Sequence, residues 1–180
     1  MEKAIFKPGG FTILDGALGT MLQAAGLPAG QLPERAALDA PEALVGIHRA
    51  YVEAGANIIA ANTFGANAKK LAGSGLAVEA VVEAAIACAR QAAGGKALVA
   101  LDVGPLGEML EPGGTLHFEA ATDLFAQVMR AGQAAGADLI LIETMADLYE
   151  IRAAVLAARE HTTLPVMASM TFEAGGRTFS

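Results

Sequence analysis

The sequence predicts an α/β protein arranged as part of a (β/α)8 TIM barrel, and three observations carry that prediction. Apolar runs of strand length alternate with helical patterns along the chain. The runs are apolar at consecutive positions, as in strands covered on both faces of a parallel sheet. Polar residues close each run at its C-terminal end, the end at which barrel enzymes build their sites.

Strands are expected at residues 11–17, 58–64, 97–104, 138–145 and 165–172, ending in Asp15, Asn62-Thr63, Asp102, Glu143-Thr144 and Thr171. A short helix over 18–25 follows the first strand. The helix over 41–54 has Pro41 near its start and Gly55 just past its end, the usual asymmetry of helix termini. Helices over 77–93 and 118–135 stop at Gly94-Gly95 and Gly136, and one over 148–159 precedes Thr162-Thr163. No linker, low-complexity stretch or composition shift divides the chain, so one domain is expected. An open dinucleotide-binding sheet would carry G-x-G-x-x-G after its first strand. Here that turn reads Asp15-Gly16-Ala17-Leu18-Gly19-Thr20, which lacks the spacing. A closed barrel takes eight strands and roughly 250 residues. Residues 1–180 are therefore expected to supply about the first five β-α units, the N-terminal portion of a barrel, with the later strands absent and two sheet edges open.

Composition narrows the function classes. Twelve Lys+Arg against 19 Asp+Glu, a net charge of −7, and no basic run argue against binding a nucleic-acid backbone. A hydrophobic content of 54% and a mean hydropathy of +0.45 exclude a disordered chain. The uncharged stretch 54–68 is short of a bilayer span and carries Asn57, Asn62 and Asn67, so no membrane segment is expected. Residues 1–8 lack the apolar core and cleavage site of a signal peptide. A single cysteine permits no internal disulfide and fits a cytoplasmic protein.

Each polar strand end has a functional and a structural account. Asp15 is a carboxylate at the mouth of the first strand, with the amides of Gly16 and Ala17 open to an anionic group, or it caps the following helix. Glu143 leaves an apolar run where a carboxylate is costly unless paired, so it meets a substrate ammonium or an arginine such as Arg152. Asp102 has a similar position, but the Gly104-Pro105 turn beside it offers its side chain something to brace. The cluster from Asn62 to Asn67 binds a small ligand or satisfies loop amides, and Phe64 within it is a pocket wall or a core residue. Cys88, inside a helical run, reads as a buried inert thiol. His48, His117 and His161 show no metal-ligand spacing. Gly94-Gly95-Lys96 precedes a strand and lacks the following Ser or Thr of a phosphate loop. The residues alone reach a carboxylate-rich mouth suited to a small cationic or zwitterionic ligand, and no particular reaction.

Six motifs occur in order: Leu14-Asp15-Gly16-Ala17-Leu18-Gly19-Thr20-Met21, His48-Arg49-Ala50-Tyr51, Ala61-Asn62-Thr63-Phe64-Gly65-Ala66-Asn67, Asp102-Val103-Gly104-Pro105-Leu106-Gly107-Glu108, Ile142-Glu143-Thr144-Met145 and Met170-Thr171-Phe172. Together they resemble the homocysteine S-methyltransferase family, on the side of its cobalamin-dependent methionine synthases more than its betaine-using branch. The resemblance runs from about Phe11 to Ser180. It implies a barrel that binds homocysteine and zinc. Asp15 and Glu143 match the carboxylates that hold the homocysteine amino group. Gly16 and Ala17 match the amides near its carboxylate, and Thr63 and Phe64 match pocket-lining positions.

The resemblance also implies a Zn²⁺ held by three cysteine thiolates. Zinc acts there as a Lewis acid that keeps the homocysteine sulfur as a thiolate ready to accept a methyl group. The matching cysteines are expected after later strands, downstream of this chain, and Cys88 matches none of them. A methylcobalamin donor, with cobalamin and folate domains or proteins as partners, is implied for the intact enzyme. Two other readings stand beside the enzyme: a non-catalytic or partner-completed half-barrel binding module, and a different barrel enzyme such as a lyase or phosphate-binding isomerase. Lys69, Lys70 and Lys96, all in helix or turn, argue against the last. The chain is expected to hold no stoichiometric zinc, and to oligomerise or expose apolar surface.

Overall fold

The consecutive apolar runs pair as a parallel sheet of β1 (Ile58–Ala60), β2 (Leu98–Val103), β3 (Leu139–Met145) and β4 (Val166–Met170). The computed structural model describes residues 5, 10–28 and 30–178. Most of residues 1–8, read above for a signal peptide, lies outside them. Strand order follows chain order, β1-β2-β3-β4, with every pair parallel. A doubly wound sheet reverses direction at a switch point; this one does not, as a barrel requires.

The connecting helices are α1 (Leu18–Ala24), α2 (Ala36–Asp39), α3 (Pro41–Glu53), α4 (Val78–Ala93), α5 (Phe118–Ala134) and α6 (Leu148–His161), with a 3-10 turn over Pro33–Arg35. Local chemistry sets their ends. Pro41 opens α3, where its missing N–H is no loss. Gly94 ends α4 at φ 51°, a left-handed conformation that glycine adopts without a Cβ clash. Asp147 caps α6 by accepting the Tyr149 N–H at 2.8 Å. Helices α3 to α6 pack in sequence, each against the next, on one side of the sheet.

That side holds the larger core. Ile59, Val99, Leu101, Ile140 and Ile142 meet Val82, Ile86, Phe125, Met129 and Ala154 in one apolar cluster. Gly132 on α5 allows the approach to β2, since a Cβ there would lie 2.4 Å from Leu101 Cδ2. Strand residues of the opposite parity, Ile58, Ala100, Leu139 and Leu141, form a small second cluster on the sheet's other face, here called the inner face.

The first predicted strand differs. Residues 11–17 form no strand; Leu14 makes an isolated parallel bridge to Ile58. Two causes act together. Phe11 and Ile13 are exposed, at 92% and 56%, and of the apolar residues 11–14 Leu14 alone packs against the inner cluster. The Ala60 N–H, the next ladder donor, is taken by the Asp15 carboxylate at 3.0 Å. The second strand also stops early, because the chain turns at Ala61–Thr63, with the Thr63 N–H on Ala61 O at 2.7 Å. The 3-10 turn and α2 went unpredicted, being too short to show a period.

At the other edge, Ala168 and Ser169 of β4 are exposed, as is Phe172 beyond it at 64%. Among the described residues, no helix is long and apolar enough to cross a membrane.

Candidate functional site

The period of two that splits the core also sorts the strand ends. On β2, Val99, Leu101 and Val103 join the helix-side core, whereas Leu98 and Ala100 face inward. Asp102 continues the inward series. On β3, Leu139 and Leu141 face inward and Glu143 follows them. Asp15 completes the set from the edge segment, its N–H donating to Ile58 O and its Oδ2 accepting the Ala60 N–H, both at 3.0 Å. Three carboxyls from three segments thus gather at the C-terminal end of the inner face.

A β-bulge exposes Glu143. Between Ile142 and Met145, β3 advances three residues while β4 advances two, from Ala168 to Met170. The extra residue returns Met145 to the helix-side core and leaves Glu143 and Thr144 outside it. Thr144 carries the strain, with φ at 60°, an unfavourable value for a β-branched residue.

Burial governs the electrostatics. It pushes the Asp15 carboxyl up to about 6, the Ala60 N–H opposing and the Glu143 charge adding to the rise. Glu143 is raised by burial as well. Asp102, 8% exposed, is raised well above the usual carboxylate range, first by burial and then by the charges of Glu143, Asp15 and Glu34, with Lys70 opposing. Neither Asp15 nor Glu143 has an ion-pair partner among the described residues.

The surrounding loops are tightly specified. Tyr51 donates its hydroxyl to Ala17 O at 3.0 Å, so α3 sets the path of the Gly16-Ala17 segment, which is exposed. Thr63 is buried and joins β1 to β2: its Oγ1 accepts the Asp102 N–H at 3.0 Å and donates to Asp102 O at 2.8 Å. Phe64, half-buried, lies on Gly104, where a Cβ would come within 2.5 Å of the ring. The Lys70 ammonium sits over the Phe64 ring, 4.9 Å from its centroid.

Several structural alternatives raised by the sequence are corrected here. Asp15 does not cap α1; Ala17 stands at that position with no side-chain hydrogen bond. Asp102 does not brace the Gly104-Pro105 turn, whose Gly104 N–H is held by Phe64 O at 3.0 Å. Arg152 is exposed on α6 and forms no ion pair with Glu143 among the described residues. Asn62 and Asn67 serve the loops: Asn62 donates to Pro33 O at 2.7 Å, and Asn67 Oδ1 accepts the Lys70 N–H at 3.0 Å.

Sequence reasoning missed three charged residues beneath the site. Glu34 is buried and accepts the Gly65 N–H at 2.7 Å. Glu150 is buried and accepts the Leu106 N–H at 2.7 Å. Lys70 feels Glu34, Glu150 and Asp102 together. The Asp147-x-x-Glu150 spacing was a visible signal, but of a helix start. Glu34 and Lys70 gave none, since charged residues in short turns read as surface.

A thiolate zinc site does not fit these residues. Cys88 is buried on α4, and burial pushes its thiol up, away from the thiolate a metal needs. Among the described residues, no three His, Cys, Asp or Glu side chains converge to hold a metal ion. His48 is fully buried, neither ring nitrogen has a partner among the described residues, and burial pushes its imidazole down to about 4.

A singly wound parallel sheet with its polar residues at the strand C-termini defines a barrel-type α/β protein. Residues 12–180 match the family described as homocysteine S-methyltransferase, and the chain belongs to that family. The methionine synthase of Mycobacterium tuberculosis is 34% identical over 184 residues, and that of Mycobacterium leprae 32%. Each match covers 90% of this chain, and the chain spans 15% of the length of those relatives. The metallated form of the homocysteine methyltransferase MmuM from Escherichia coli superposes with a TM-score of 0.84 at 24% identity, over 95% of this chain and 67% of that one. Its oxidized form gives 0.83, over 93% and 64%. The barrel fold is thereby shared, and this chain corresponds to part of it.

Proposed function

We propose that this chain is the N-terminal, amino-acid-holding portion of a homocysteine S-methyltransferase barrel of the methionine synthase type. The observation that carries the reading is the pair Asp15 and Glu143, two carboxyls at strand ends on the inner face without a counter-ion among the described residues. A substrate ammonium supplies that counter-ion and draws both carboxyls to their charged form. The exposed amides of Gly16 and Ala17 receive the substrate carboxylate, and Thr63 and Phe64 line the pocket. Methyl transfer then forms a carbon–sulfur bond on the homocysteine thiolate as the donor–methyl bond breaks, giving methionine.

The zinc implied by the family resemblance has no ligand set among the described residues. The role assigned to this chain is to bind and orient homocysteine, with zinc thiolates and cobalamin or folate partners supplied by other polypeptide. A cytoplasmic location belongs to the same proposal. A partner-completed binding module uses the same residues and differs only in lacking turnover.

Calorimetric titration with L-homocysteine tests the reading. Wild type binds, and Asp15→Asn or Glu143→Gln weakens binding by about tenfold or more, the size of a lost charge-assisted contact. The analogue 4-mercaptobutyrate, which lacks the amino group, does not bind. Equal affinity for the two compounds overturns the proposal. Affinity should rise with pH through about 6, as Asp15 ionises.

A further inference from the structure

Asp102 is the least explained of the three carboxyls. Its Oδ1 is shut off from solvent and has no hydrogen-bond partner among the described residues, and the whole residue is 8% exposed. Thr63, whose hydroxyl lies against the Asp102 backbone, cannot solvate the side chain, because that hydroxyl is committed to the Asp102 N–H and C=O. Among the described residues, Lys70 is the one cation acting on Asp102, and it is shared with Glu34 and Glu150. The other charged groups acting on Asp102 among the described residues are Glu143, Asp15 and Glu34, all acidic. A buried carboxylate with a bare oxygen, a shared counter-ion and three like charges is strongly disfavoured. A carboxylic acid at the same place gives up only the shared attraction of Lys70, escapes the three repulsions and gains a donor.

We propose that Asp102 is a third member of the amino-acid site and works uncharged: Asp15 and Glu143 supply the charge, and the Asp102 carboxylic acid donates its O–H to the bound zwitterion. This rests on the proposed function for the identity of the ligand. The division has a physical use. Three carboxylates around one ammonium would leave surplus negative charge and repel the substrate carboxylate; two charges and a neutral donor suit both ends of an α-amino acid. The double hydrogen bond from Thr63 to the backbone of Asp102 holds the donor in place without using its side chain.

Two measurements on the 180-residue chain test this. The first is the ¹³C carboxyl resonance of Asp102, assigned by its loss in Asp102→Asn, followed from pH 5 to 8. It should keep the position of the acid at pH 7, and the carboxylate position there overturns the proposal. The second is titration with L-homocysteine at pH 7. Asp102→Ala should bind about tenfold or more weakly, for a lost hydrogen bond to a charged group, and Asp102→Asn, which keeps a donor without charge, should recover most of that loss. Asp102→Asn should also keep the rise in affinity through about pH 6 that belongs to Asp15. Asp102→Asn as weak as Asp102→Ala, or Asp102→Ala as strong as wild type, overturns the proposal. If homocysteine does not bind but L-methionine binds with the same variant pattern, the homocysteine reading fails and the role of Asp102 stands. If no α-amino acid binds, both fall.

Discussion

The two faces of this sheet are made by alternate residues of the same strands, yet they obey different rules. On the helix side, Leu101, Ile140 and Ile142 are fully buried against α4, α5 and α6, and no ionisable group interrupts the strands. On the inner face, Leu98-Ala100-Asp102 and Leu139-Leu141-Glu143 begin apolar and end acidic. The helix face gains free energy from every residue it buries. The inner face loses some at its mouth, since burial drives Asp15, Asp102 and Glu143 away from their charged forms. Stability and the proposed ligand recognition are therefore separated by one residue along the strand, and a substitution can strike one with little effect on the other.

Phe125→Ala strikes the helix face hardest. Phe125 is fully buried between α5 and the sheet, and its loss should cost about 3–5 kcal/mol by the usual transfer and cavity terms. Chemical denaturation checks this. A cost below about 1 kcal/mol would mean that the helix layer is not the cooperative core.

Asp15→Asn strikes the inner face and should have the opposite sign. The Asp15 carboxyl is raised from 3.8 to about 6, so the folded chain holds its proton more tightly than the unfolded chain does. Its effect favours the fold below about 4 and is lost as pH rises to about 6. Relative to wild type, the asparagine variant should gain stability above about pH 6, on the order of 2 kcal/mol, with little gain at pH 4. Denaturation at the two pH values reads it, and a pH-independent difference would contradict it. The same variant should bind homocysteine more weakly, so stability and affinity move oppositely. His48 shifts the background the other way: held down to about 4 against an ordinary 6.5, it weakens the fold as pH falls through that window.

The smallest effect belongs to a residue outside both faces. Asp147→Ala removes the cap on α6 and should cost about 1 kcal/mol. A change in homocysteine affinity alongside would mean that the α6 start is coupled to Glu143 through the β3 bulge.

Much of this was legible beforehand, for local reasons. Continuous apolar runs identified the parallel strands, and Pro41, Gly94 and Gly136 marked helix ends within a residue or two. Asp15 and Glu143 could be singled out because each closes such a run. What was not legible depended on neighbours distant in sequence. The first run looked like a strand, but Ile13 gains nothing from pairing where no chain covers it. Asp102 looked like a turn brace because Gly104-Pro105 stands beside it; the turn is instead held by Phe64, 40 residues earlier. Glu34 and Glu150 carried no local sign of their roles, because the Gly65 and Leu106 amides they accept from lie 31 and 44 residues away.

The sequence by itself determined the family, the alternation of strand and helix, and the carboxylates that stand at strand ends, because periodicity and terminal residues act over a few neighbouring positions. Only the tertiary structure decided which carboxylates share a face and how far burial raises each of them. Those outcomes follow from burial and from charges brought together across the fold, and both are set by the whole chain at once.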